Sequence, residues 1–123
     1  RKPGVLASIE LAGDESVFTS GDYERFFEHE GQRYHHIIDP RSGYPAGAAI
    51  SATVIHPVAA TADAAATALF VAGPDAWPAI ARQMGVEYVM LVDREGRIHM
   101  NPAMQARLTF ESEPDTIVMS ETL

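Results

Sequence analysis

Thr61-Ala62-Asp63-Ala64-Ala65-Ala66-Thr67-Ala68-Leu69-Phe70-Val71-Ala72-Gly73 is the stretch on which the fold turns. Thr61 can cap a helix N-terminus with its hydroxyl, Gly73 can take the left-handed position that ends one, and the residues between are mostly Ala, Leu, Phe and Val. The spacing therefore predicts a helix over 62–72. Apart from Asp63 it carries no charge before Asp75, and a helix without a charged face is covered by protein on most sides. Its apolar run, 64–73, falls far below the roughly 20 residues of a membrane span, so no transmembrane segment is expected. A second helix is expected over 76–84, with Asp75 as cap, Pro78 in the first turn and Gly85 at the end.

Strand patterns flank this helical region on both sides. Residues 5–11 and 17–20 form an expected hairpin around Ala12-Gly13-Asp14-Glu15, and 23–29 and 32–38 a second around Glu30-Gly31. Residues 50–56 give a further strand, 87–93 and 97–101 a last hairpin around Arg94-Glu95-Gly96, and 108–111 an edge strand. Strands, two helices and strands again define an α+β domain, a largely antiparallel sheet with the two helices packed on one face.

The 123 residues, 46% of them hydrophobic, suffice for one core. A formal charge of −8, from 17 acidic and 9 basic side chains, opposes binding to nucleic acid or anionic lipid, both of which recruit Lys/Arg clusters. The absence of cysteine excludes disulfides, thiolate metal sites and cysteine nucleophiles. Trp77, Phe70 and Met90 read as core, and Glu10, Asp14, Glu15 and the acidic 111–121 tail as solvated surface.

Two constellations carry chemistry. Asp63 and Thr67, at i and i+4, share one helix face about 6 Å apart along the axis, where a carboxylate and a hydroxyl oxygen can hold a hard cation. The competing account has Asp63 complementing the helix dipole and Thr67 bonding back to a carbonyl. His36 is the residue type suited to moving a proton near neutral pH, and Asp39 lies three positions on at the Asp39-Pro40-Arg41-Ser42-Gly43 turn. Here the competing account leaves His36 on a backbone carbonyl and Asp39 capping its own turn. His29, His56 and His99 show no spacing that would complete a zinc site.

Four ordered blocks, Thr19-Ser20-Gly21-Asp22-Tyr23, His36-Ile37-Ile38-Asp39-Pro40-Arg41-Ser42-Gly43-Tyr44-Pro45, Asp63-Ala64-Ala65-Ala66-Thr67 and Val89-Met90-Leu91-Val92-Asp93, resemble the C-terminal portion of the ApbE family, the FAD:protein FMN transferases. The resemblance implies a bacterial periplasmic enzyme, attached to the inner membrane as a lipoprotein. Such an enzyme uses Mg2+ and FAD, transfers FMN to a Thr or Ser hydroxyl of an acceptor protein such as a redox-pump subunit, and releases AMP. Carried over by position, Asp63 and Thr67 would bind the metal, and His36 would be catalytic. Ser20, Gly21, His36, Ile37 and Asp39 would line the flavin site. Residues 1–123 would be the C-terminal portion only, beginning at Arg1 within a longer precursor. Without the N-terminal portion the fragment is expected neither to hold FAD tightly nor to turn over. Two other readings stay open at this stage: Mg2+-dependent hydrolysis of FAD to FMN and AMP, and a non-catalytic flavin-binding or assembly domain.

Overall fold

The computed structural model describes residues 5–11, 14–21, 25–28, 34–38, 51–110 and 117–123, and their side chains except at 5–6, 25–28 and 34–38. Among the described residues nine strands and two helices run in the order β1 (Val5–Glu10), β2 (Ser16–Gly21), β3 (Arg25–Glu28), β4 (Tyr34–Ile38), β5 (Ser51–His56), α1 (Ala59–Met84), β6 (Tyr88–Val92), β7 (Ile98–Met100), α2 (Pro102–Arg107), β8 (Leu108–Phe110) and β9 (Ile117–Met119). They form a six-stranded sheet, β3-β2-β5-β6-β7-β9, and a three-stranded sheet, β4-β1-β8. Every pairing is antiparallel except β7 with β9.

Alternation along the central strands sorts the core into two layers, because successive side chains point to opposite faces. Ala52 and Val54 of β5 and Val89 and Leu91 of β6 join Ala62, Ala65, Ala66, Leu69, Trp77 and Ala81 of α1 on one face. Ile55, Met90 and Val92 meet Ala7, Ile9 and Leu11 and, from α2, Met104 on the other. The four alanines let α1 lie close to the sheet, while Leu69 and Trp77, both fully buried, fill the remaining space. Each such large apolar side chain stabilises the fold by about 1.5–3 kcal/mol relative to exposure.

Both expected helical segments lie on the same face of the sheet and are joined at Gly73, whose φ of 81° and ψ of −178° break the helix. A straight helix of this length would part its ends by about 39 Å. Yet Pro57, just ahead of α1, and Gly85, just beyond it, line one cavity. The glycine therefore turns the chain back on itself. A Cβ at Gly73 would meet nothing within 4 Å, so the positive φ, rather than space, requires glycine there.

The helix starts earlier than residue 62. Val58, not Thr61, is the cap, and it makes no side-chain capping bond. The chain is held instead from behind, where the Val58 N–H donates to His56 Nδ1 at 3.0 Å. The second segment begins with Pro74, immediately after the break, so Pro78 stands beyond the first turn. Gly85 ends it as expected, in the left-handed conformation at φ 71°.

Strand positions agree with the sequence reading, but two pairings do not. β1 pairs with β4 rather than β2, and β3 pairs with β2 rather than β4, so the β2–β3 hairpin is nested inside the β1–β4 pair. The physical reason is layering: β1 lies over the larger sheet, with Ala7 and Ile9 against Val17, Ile55 and Met90, and buries a face that side-by-side pairing would leave open. The β6–β7 hairpin and the edge strand β8 form as expected. One surface assignment also changes. Glu15 is drawn into a double contact with Arg107, at 2.8 and 2.5 Å. Part of the acidic tail forms β9 and stays at the surface, with Val118 and Met119 exposed.

Candidate active site

β2 delivers Ser20 and Gly21 to the end of the six-stranded sheet, opposite Ala52 and Ser51 of β5. Directly paired antiparallel residues share a face. Ser20 thus stands on the side carrying α1, together with Ala52, and is 5% exposed. On the opposite face the Thr19 and Thr53 hydroxyls, both buried, lie 3.0 Å apart and pin β2 to β5 next to Ser20. Sequence reasoning missed this pair, whose only signal is a threonine in each of two strands.

The buried stripe of α1 runs through Ala62, Ala65, Ala66 and Leu69. Asp63 and Thr67, one turn apart, flank it. Asp63 is half-buried and Thr67 exposed, and each takes part in an interaction within the chain. Ser20, Asp63 and Thr67 are therefore brought to one side of the sheet by β2 and α1, while Gly21, next along β2, pairs with Ser51 at the end of the same sheet. The backbone of β4 places His36 opposite Ser8 and Ile37 opposite Ala7, in the three-stranded sheet. The side chains of His36 and Ile37 lie outside the described residues, as does Asp39 altogether.

The α1 flank fits a hard cation. Its two side chains offer oxygen only, one of them charged, at a position solvent can reach, which suits Mg2+ and is too few to enclose it. Among the described residues no group of three or more His, Asp or Glu gathers to hold a metal, so further oxygens would have to come from elsewhere.

A second polar cluster, unforeseen from sequence, closes the β6–β7 turn. Asp93 Oδ1 accepts the Glu95 and Arg97 backbone N–H groups at 3.0 and 2.9 Å, and Oδ2 accepts Arg97 Nε at 2.9 Å and His99 Nε2–H at 2.7 Å. Gly96, at φ 84°, supplies the turn's left-handed residue. Burial alone would raise the Asp93 pKa, but the hydrogen bonds from His99 and Arg97 and the guanidinium charge outweigh it and hold the carboxyl below its ordinary value. A carboxyl depressed in the folded state contributes stability that is present above its unfolded pKa and is lost as pH falls through the folded one. Asp93→Asn is accordingly expected to destabilise the protein by about 1–3 kcal/mol at neutral pH. The difference from wild type should shrink as pH drops below about 4, as read by denaturant unfolding at a series of pH values. A gap that stays constant down to pH 2 would count against this role.

Comparison with known proteins fixes the class to which this α+β domain belongs. The ApbE family model matches residues 1–90. An FAD:protein FMN transferase of Rhodobacter capsulatus is 47% identical over 105 residues, 85% of this chain and 20% of that protein. One from Treponema pallidum is 45% identical over 93 residues, 74% of this chain and 25% of that protein. One from Escherichia coli K12 is 34% identical over 115 residues, 90% of this chain and 32% of that protein. The chain belongs to the ApbE family. It spans about a fifth to a third of the length of these curated relatives.

Proposed function

We propose that the complete protein transfers FMN from FAD to a Thr or Ser hydroxyl of an acceptor protein in a Mg2+-dependent reaction that releases AMP. The observation that carries this reading is the α1 flank. It sets a carboxylate and a hydroxyl one turn apart, on the same side of the sheet as buried Ser20, in a chain similar to proteins named FAD:protein FMN transferase.

In this reading Asp63 and Thr67 hold the metal, and Ser20, Gly21, His36, Ile37 and Asp39 line the flavin site. A Mg2+ ion held there would supply positive charge against the diphosphate of FAD. His36 accepts the proton of the acceptor hydroxyl as its oxygen attacks the FMN phosphorus. The bond to the AMP phosphate breaks in line, and AMP departs with the electron pair. The same reading puts the full-length protein in the bacterial periplasm, anchored by a lipid attached upstream.

The test is to incubate the full-length protein with FAD, Mg2+ and an acceptor protein. A mass increase of one FMN on the acceptor, with AMP released in equal amount, is the expected result. AMP release that ignores the acceptor would replace the transferase by a pyrophosphatase, and no Mg2+-dependent release at all would favour a flavin-binding domain without chemistry.

A further inference from the structure

The proposed flavin site is divided between two sheets. Ser20 and Gly21 belong to β2 of the six-stranded sheet, whereas His36 and Ile37 belong to β4, which enters the three-stranded sheet through β1. The layer between the sheets is apolar, with Ala7, Ile9 and Leu11 against Val17, Ile55, Met90 and Met100. Contact of this kind is attractive but not directional.

Arg107 supplies direction. It ends α2, one residue before β8, and so lies on the chain that completes the three-stranded sheet beside β1. Its Nη1 and Nη2 donate to the Glu15 carboxylate at 2.8 and 2.5 Å, and Nη2 also donates to the Glu10 carbonyl at 3.1 Å. Glu15 immediately precedes β2 and Glu10 ends β1, so one guanidinium is bonded to both sheets. Its Cζ lies 4.6 Å from the centre of the ring of Tyr88, the first residue of β6. The Arg107 and Glu15 side chains are only 19% and 13% exposed, so little solvent competes for the pair. A fork bound at two oxygens fixes angle as well as distance.

The angle matters because Ser20 stands far from the clamp. It lies five residues along β2 from Glu15, about 17 Å at the rise of a strand, so a tilt of about 5° would displace it by about 1.5 Å. We propose that Arg107 is a positioning residue for flavin transfer, holding Glu15 and the Glu10 carbonyl in one fork and so setting the angle between the two sheets that share the flavin site. This rests on the transferase reading.

In the full-length enzyme, Arg107→Lys keeps the charge and loses the fork. It is expected to lower kcat/KM for FAD about tenfold, because a reaction that depends on alignment is sensitive to displacements of this size. Glu15→Gln should do the same, and the double variant should lose no more than either alone, since both changes break one link. The assays are run well below the unfolding midpoint, where every variant is fully folded, so a contribution to stability alone would leave kcat/KM at the wild-type value. Electron–electron resonance distances between spin labels at Thr109 on β8 and Ala79 on α1, both exposed, read the geometry without any reaction. The distribution should be broader in Arg107→Lys than in wild type. An unchanged distribution overturns the proposal, as does an unchanged kcat/KM or losses that multiply in the double variant. A broadened distribution in a protein that never transfers FMN would sink the transferase reading and leave the clamp standing.

Discussion

Asp63→Ala in the full-length protein is expected to reduce FMN transfer by about a hundredfold at limiting Mg2+, with part of the loss recovered as Mg2+ is raised. In the proposed reading the reason is electrostatic: of the two side chains on the α1 flank only the Asp63 carboxylate is charged, so its removal would cost the metal its one ionic contact with this helix. Thr67→Val removes a neutral donor and should cost less. If both side chains act through one ion, the double variant should lose less than the two separate losses multiplied together, because either change alone already weakens the same ion. The fold should survive both changes, since Asp63 is half-buried, Thr67 exposed, and neither belongs to the buried stripe of α1. Far-ultraviolet circular dichroism checks that directly. Undiminished transfer by Asp63→Ala at limiting Mg2+ would remove this flank from the metal site.

The α1 flank was legible in the sequence because i and i+4 neighbours meet on any helix, whatever surrounds it. The break at Gly73 was legible for a similar local reason: a glycine after an apolar run can adopt the positive φ that other residues resist. What failed was non-local. Residues 5–11 and 17–20 carry strand patterns that adjacency would pair, yet the choice of partner depends on which strand forms a second layer, and Ala7 and Ile9 make that choice only through contacts with Ile55 and Met90. The early start of α1 escaped notice because His56 lies outside the helix it steadies. The Pro102–Arg107 helix announced itself only by Asn101 and Pro102 at a helix start, too little for six residues, and β9 only by three apolar residues in an acidic tail. Likewise the Asp93–His99 bond needs β7 to pair with β6 before the two side chains can meet.

His36→Ala in the full-length protein is expected to lower transfer by a factor of about 10² to 10⁴, the usual contribution of a positioned general base. Structure survives such a change more readily than chemistry does. β4 is joined to β1 by backbone pairing through Ser8 and its neighbours, a ladder that alanine at position 36 leaves intact. A base can be told from a packing residue by three measurements. Mg2+ affinity should stay close to wild type and FAD affinity should fall far less than the rate, because in the proposed reading the imidazole, although it borders the flavin site, acts on the acceptor hydroxyl rather than on the diphosphate. The rise of kcat with pH that a neutral imidazole requires should vanish, since alanine has no proton to lose. Added imidazole should restore part of the rate, which no variant lacking only a packing contact would show. Transfer retained in full by His36→Ala would move the proton to another acceptor. Loss of FAD affinity in step with rate would instead assign His36 to binding, and the attack on phosphorus would then proceed without a base from β4.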